Sequence, residues 1–307
     1  MSGSRVLVTG SSGLIGGRLV ERLQNSSLDE LVGIDINPPQ NNSYPFYLLD
    51  ITSPDLVDVI SQHKTDTLVH LACVQITSRD KDLQHKTNVL GTQNVINAAK
   101  KLRIKRFVFA STCAVHGVSK EPNHFYTEES PFDETDDLPY AQHKIWAEKA
   151  LQAFQQETGI PVCILRPCVV LGPNTNNVIS RSISDVNPLP TIIGYNPRKH
   201  LLKLIHYNPR RQFVHEDDVA EAFYQAIKKQ AQGVFHVSSD DPIPQSELYN
   251  LVKTKKVEIP YFIARLALRH QYKKRKLETP PELIKYLMRE FLTDNGKAKR
   301  ELRWQPR

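Results

Sequence analysis

The sequence of 307 residues predicts an α/β fold, a doubly wound parallel sheet with helices on both faces, joined to a smaller C-terminal lobe. Three observations carry this expectation. Strand-like runs in the first half are apolar without polar alternation, helical segments separate them, and the pattern breaks down after Pro167. Continuous apolar character marks strands buried on both faces, and an intervening helix marks a crossover between parallel neighbours.

The elements follow in order. "RVLVTG" at 5–10 leads into "GLIGGRLVERLQ", and "ELVGIDI" at 30–36 forms the second strand. "PFYLLDI" at 45–51 precedes the helical "SPDLVDVISQH", and "DTLVHLA" at 66–72 precedes "HKTNVLGTQNVINAAKKL". "RFVFAS" at 106–111 is followed by the helix "YAQHKIWAEKALQAFQQETG", and "PVCILRP" arrives at 161–167. The Asn-, Ser- and Pro-rich "GPNTNNVISRSISDVNPLP" then reads as loops opening the second lobe. "RQFVHEDDVAEAFYQAIKK" predicts a strand, an acidic helix start and a helix, "GVFHVSS" another strand, and the chain from about 245 onward mostly helix. The expected division is residues 1–166 for cofactor binding and 167–307 mainly for substrate, with parts of 212–240 returning to the first domain.

Composition bounds the function. Apolar residues make up 40% and charged residues 24%, as in ordinary globular proteins, and no apolar run reaches the length of a membrane span. The strand-like start leaves no secretory pattern, so a cytoplasmic location is expected. Cys73, Cys113, Cys163 and Cys168 lie at or just after apolar runs without CxxC or His-rich company, and are expected to be reduced structural thiols, not metal ligands. The formal charge of +7 is uneven. Residues 261–307 carry 13 Lys+Arg against 5 Asp+Glu, so the basic character is a C-terminal property. A solvated face is the plainest reading, an anionic substrate or membrane surface the next, and no nucleic-acid reader motif accompanies the charge.

Gly10, Gly13 and Gly16 follow the first strand at the mouth of a helix, in "TGSSGLIGG". Glycine lets the backbone turn and approach a pyrophosphate, which free helix N-terminal amides then stabilise. Leu14 and Ile15 fall inside the same string. Asp35, ending the second strand, can accept the adenosine ribose hydroxyls and repel a 2′-phosphate, which favours NAD over NADP. Asp50, after the next strand, can face the adenine or be a plain loop carboxylate.

Tyr140 and Lys144 share a helix face at i,i+4, but four other pairs have the same spacing: Tyr195 with Lys199, Tyr224 with Lys228, Tyr249 with Lys253 and Tyr272 with Lys276. Spacing alone leaves all five open.

The strings "TGSSGLIGG", "HLA" at 70–72, "TNVLGTQNV", "FASTCAVHG", "YAQHK", "LRPCVVLGP", "QFVHEDDVAEA" and "GKAKRELRWQP" occur in the order of extended short-chain dehydrogenases/reductases. Over nearly its whole length the chain resembles their NAD-dependent epimerase/dehydratase family, with its Rossmann domain. The resemblance selects Tyr140 and Lys144, since the family's catalytic pair opens the helix after the fifth strand. It implies Thr112 as the catalytic, substrate-contacting hydroxyl, with Ser111 as the neighbour to be distinguished from it. It also extends the cofactor set to Ile51, Leu71, Ala72 and Asn88, and adds Arg211 as a diphosphate contact.

The implied chemistry is a phenol whose pKa is lowered by the Lys144 charge, taking a proton as hydride leaves for NAD. Departures are equally legible. Cys113 and Ala114 replace the Asp-Glu that 4,6-dehydratases carry after the threonine. Val169 stands where UDP-galactose epimerases place a recognition asparagine, and His116 where the family usually has tyrosine. The leading expectation is an epimerase or oxidoreductase of a nucleotide-sugar. A dehydrogenase of a sterol-, isoprenoid- or polyketide-like alcohol is the alternative, and a non-catalytic NAD-binding sensor or assembly factor a third that the intact Thr112, Tyr140 and Lys144 disfavour. Expected partners are a small-molecule substrate, with a nucleoside diphosphate sugar leading, and optionally a second copy of the chain.

Overall fold

A computed structural model describes residues 4–26, 30–40, 43–76, 78–119, 121–175, 191–193, 208–247, 256–258, 261–274 and 280–307. Seven parallel strands form the central sheet: β1 Arg5–Thr9, β2 Glu30–Asp35, β3 Phe46–Leu48, β4 Thr67–His70, β5 Arg106–Ala110, β6 Val162–Pro167 and β7 Gly233–Val237. Their order is β7-β6-β5-β4-β1-β2-β3, so β1 pairs with both β2 and β4 and the winding direction reverses there. In sheets of this kind the reversal opens a crevice beyond the strand C-termini.

The helices among the described residues are α1 Leu14–Gln24, α2 Leu56–Gln62, α3 Lys81–His85, α4 Thr92–Leu102, α5 Pro139–Thr158, α6 Glu216–Lys228, α7 Tyr261–Lys273 and α8 Ile284–Met288. Alternate residues of each strand feed opposite sides of the sheet, as the two-residue pleat requires. Val6, Val8, Val69, Val108, Cys163 and Leu165 pack with Leu19 and Leu23 of α1 and with Val219 and Phe223 of α6. Leu7, Leu68, Phe107, Phe109, Val162 and Ile164 pack on the other side with Ile60 of α2, Val95 of α4 and Leu151 and Phe154 of α5. Each such apolar side chain contributes about 1.5–3 kcal/mol on burial, which explains the unbroken apolar runs.

Among the described residues four small pairings lie outside the sheet: Val169–Leu171 with Phe213–His215, Arg210–Arg211 with Ile243–Pro244, Phe125–Tyr126 with Leu292–Thr293, and Thr191–Ile193 with Lys256–Glu258. Among the described residues after 245 the chain is mainly helical, as expected, in Tyr261–Lys273, Pro281–Leu283, Ile284–Met288 and Ala298–Leu302, with the short strands Lys256–Glu258 and Leu292–Thr293 between them. Strands of two or three residues are too short to show periodicity. The run at 45–51 shrinks to three residues because β3 is an edge strand, with Leu48 67% exposed. The helix expected over 85–102 starts with a π-helical stretch, Lys86–Gly91. No helix among the described residues is long and apolar enough to cross a membrane.

Candidate active site

The crevice at the strand reversal is a cavity of about 530 Å³. At one end Gly10 turns with φ +74°, and a Cβ there would lie 2.5 Å from the Ala72 nitrogen. A Cβ on Gly16 would lie 1.9 Å from the Gly10 carbonyl oxygen, so helix α1 can start against the β1 turn only with glycine at both places. Gly13 caps α1 in extended conformation. Asp35 accepts the Ser12 N–H at 3.0 Å on one carboxylate oxygen and the Asn37 N–H at 2.9 Å on the other. Two backbone donors fix the carboxylate while its remaining lone pairs stay available. Asp50 accepts both the backbone N–H and the hydroxyl of Thr52, at 2.8 and 2.9 Å.

Gly10, Gly13, Leu14, Ile15, Gly16, Asp35, Asp50, Ile51, Leu71 and Ala72 all line this cavity. The Cβ-free turn and the fixed carboxylate suit the pyrophosphate and ribose of a dinucleotide, so the residues present fit NAD. Asn88 does not line it. It is buried, its side-chain oxygen accepting the Val74 N–H at 2.7 Å and its amide donating to the Val74 carbonyl at 2.9 Å. It holds the loop that carries Cys73 and Gln75.

Thr112, Tyr140 and Lys144 line the same cavity. Pro139 opens α5 and sets Tyr140 in its first turn. The Lys144 ammonium donates to the Ala110 carbonyl at 2.6 Å and lies 5.8 Å from the Tyr140 ring centroid. Thr112 caps the short 3₁₀ turn Cys113–His116 and accepts the Ala114 N–H at 3.2 Å. The hydroxyl of Ser111 is committed elsewhere, donating to Glu148 on α5. Glu148 also holds Arg166 through bonds of 2.7 and 3.0 Å, and both side chains are almost fully buried. The chain before Thr112 is thus tied to α5 twice, through Lys144 and Glu148.

The Tyr140 phenol departs from expectation. Burial pushes its pKa well above the usual tyrosine value, and the neighbouring Cys73 thiol adds to the rise. Sequence reading missed Cys73 as a cavity residue: the other three cysteines are buried, whereas Cys73 is half-buried beside the phenol. A lone cysteine after a strand gives no signal of that position.

Arg211 also lines the cavity, 6% exposed. Its guanidinium donates to the carbonyls of Tyr286 and Arg289 and, at 3.2 Å, to the Gln245 side chain. The surroundings of this end are mostly apolar: Ile76, Leu138, Val169, Val170, Leu283 and Phe291. His116 sits away from it, stacked on Tyr126 at 5.1 Å and facing His236 and Arg166 at 3.0 and 3.1 Å, with a pKa lowered by burial to about 4. Tyr224 and Lys228 lie together on α6, outside this cavity. Tyr195, Lys199, Tyr249, Lys253 and Lys276 lie outside the described residues.

Residues 6–238 match the profile of the NAD dependent epimerase/dehydratase family. An uncharacterised Mycobacterium tuberculosis protein is 26% identical over 318 residues, covering 98% of this chain and 80% of its own length. The human dTDP-D-glucose 4,6-dehydratase is 29% identical over 249 residues, 75% of this chain and 67% of its own. Among solved structures, the Thermus thermophilus UDP-glucose 4-epimerase in complex with NAD superposes with a TM-score of 0.76 at 22% identity, over 99% of this chain and 94% of that one.

Proposed function

This chain belongs to the NAD-dependent epimerase/dehydratase family, and on that premise we propose that it oxidises, and in the epimerase case re-reduces, a secondary alcohol borne by a nucleotide-sugar. The observation that supports this most is that Thr112, Tyr140 and Lys144 line the same cavity as Gly10, Asp35 and Arg211. Named relatives act on nucleotide-sugars, as UDP-glucose 4-epimerase and dTDP-D-glucose 4,6-dehydratase do by their names.

When bound, NAD supplies the acceptor for the hydride. Gly10, Gly13 and Gly16 would admit its pyrophosphate, Asp35 its adenosine ribose, and Lys144 its nicotinamide ribose. Thr112 donates a hydrogen bond from its hydroxyl to the substrate oxygen as that oxygen gains carbonyl character. Tyr140 exchanges the proton of the substrate hydroxyl. Burial keeps the phenol protonated, which suits it to give a proton to a ketone. To work as a base it needs added positive charge, and Lys144 is the source this chain provides. Elimination is not proposed, because fully buried Cys113 and neighbouring Ala114 offer no acid and base after Thr112.

Calorimetry with UDP tests the nucleotide part. UDP is expected to bind the wild type, and Arg211→Ala to weaken it at least about tenfold without changing NAD affinity, since losing a buried charge partner costs about 2–5 kcal/mol. If UDP binds only by weak competition at the NAD site, the nucleotide-sugar reading fails. One observation favours a second reading, a non-nucleotide apolar alcohol: the substrate end is walled by aliphatic and aromatic side chains, and the Arg211 guanidinium already serves two carbonyls.

A further inference from the structure

Helix α7 presents a face that the proposed chemistry does not use. It runs from Tyr261 to Lys273, and the chain carries no Asp or Glu between Glu258 and Glu278. Helical spacing places Arg265, Leu268 and Tyr272 on one side. That side is engaged: Arg265 pairs with Asp137 at 2.9 Å, Leu268 is buried, and the Tyr272 ring lies 4.1 Å under the Arg79 guanidinium. The other side carries Leu266, Arg269, His270 and Lys273, continued by Lys274, and all five are exposed. Leu266 is 69% exposed, the most of any large apolar side chain among the described residues. Arg269, Lys273 and Lys274 have no carboxylate partner among the described residues.

We propose that this face docks the protein on an anionic lipid bilayer, with Leu266 entering the headgroup layer and Arg269, Lys273 and Lys274 lying over lipid phosphates. Charge complementarity supports the occupant, because a helix face with several cations and no anion is attracted to a negatively charged surface within about a Debye length. Arg275 and Lys276 add to the local charge in the sequence. The exposed leucine favours lipid over nucleic acid: an isolated apolar side chain gains nothing against a phosphate backbone, whereas amphipathic helices at membranes bury such residues. The position has a consequence for the reaction site. Helix α7 packs against Pro281–Leu283 and α8, and Leu283 and Tyr286 of that segment line the substrate end of the cavity. Docking would bring that end close to the bilayer. The inference does not depend on which alcohol is the substrate.

Co-sedimentation of the full chain with vesicles tests it. Vesicles of phosphatidylcholine with about 30% phosphatidylserine are expected to bind the protein in about 0.1 M NaCl, to release it as salt rises to about 0.5 M, and pure phosphatidylcholine vesicles to leave it in solution. The triple variant Arg269→Gln, Lys273→Gln, Lys274→Gln should bind at least about tenfold more weakly, and Leu266→Ser severalfold more weakly, with the melting temperature and NAD affinity of both unchanged. Absence of binding to the anionic vesicles, undiminished binding by the triple variant, or tighter binding to duplex DNA than to those vesicles would each overturn the proposal. Full binding by Leu266→Ser would overturn the insertion of the leucine.

Discussion

At the scale of single residues the proposed chemistry asks Tyr140 to move a proton, Asp35 to hold the cofactor and Lys144 to serve both. Tyr140→Phe is expected to abolish turnover with little change in NAD affinity, because the hydroxyl carries the proton and adds little to binding. Lys144→Ala should impair both, since the ammonium serves the Ala110 carbonyl and the neighbourhood of the Tyr140 ring at once. Near-normal turnover by the phenylalanine variant would remove Tyr140 from the mechanism. Asp35 makes the complementary case. Two backbone N–H groups fix its carboxylate, and Asp35→Ala should weaken NAD by roughly 1.5–3 kcal/mol for each charge-assisted bond lost. Fluorescence titration of the wild type with both cofactors checks the choice, and tighter NADP would contradict it. Much at this scale was legible, because glycine strings and a carboxylate at a strand end carry their physics in the residue type. The raised pKa of Tyr140 was not, since it comes from burial and from Cys73, a contact across two distant stretches of chain. The two hydrogen bonds by which Asn88 holds the Val74 backbone were likewise not legible, because they join separate stretches of chain.

At the scale of elements, buried charge ties the strands and helices around the site. Glu148 on α5 and Arg166 on β6 form a pair with 0% and 2% of their side chains exposed, and Glu148 also receives the Ser111 hydroxyl. Glu148→Gln leaves Arg166 buried without its counter-charge, and is expected to cost about 3–5 kcal/mol, read as a lower urea midpoint. A loss below about 1 kcal/mol would show that the pair is dispensable. At the N-terminal ends of the central strands, Asp66 joins Arg5 of β1 and Lys105 before β5, and its pKa, which burial alone would raise, is lowered to about 2 by these partners. A depressed carboxylate pKa stabilises the fold above its unfolded value, near 4, and loses that contribution as pH falls through about 2. Because Arg5 and Lys105 are partly exposed, the contribution should be about 1–2 kcal/mol, and Asp66→Asn should flatten stability over that pH window. The seven strands were legible because burial on both faces demands unbroken apolar runs. The π-helical turn at Lys86–Gly91 and the two-residue pairings were not, because tertiary contacts set them and no periodicity announces them.

At the scale of the whole molecule, the reversal of winding at β1 places the cofactor crevice beside a second region built from Arg210–Phe213, Ile243–Pro244 and the C-terminal segment. We propose that residues 1–166, with the returning strand β7, hold the cofactor, and that the rest, mainly within 167–307, selects the substrate. The glycine and strand-end residues that line the crevice were readable because their strings stand in a fixed order along the chain. The apolar wall of Ile76, Leu138, Leu283 and Phe291 was less so, as it gathers from four separate stretches. The most direct test is rapid mixing of the NAD-loaded protein with UDP-glucose, related uridine and thymidine diphosphate sugars and, separately, alicyclic alcohols, following the absorbance of reduced nicotinamide. The account expects a reduced-nicotinamide signal with at least one nucleotide-sugar in the wild type and none in Tyr140→Phe. A signal with alicyclic alcohols alone, or one that survives in Tyr140→Phe, would contradict it.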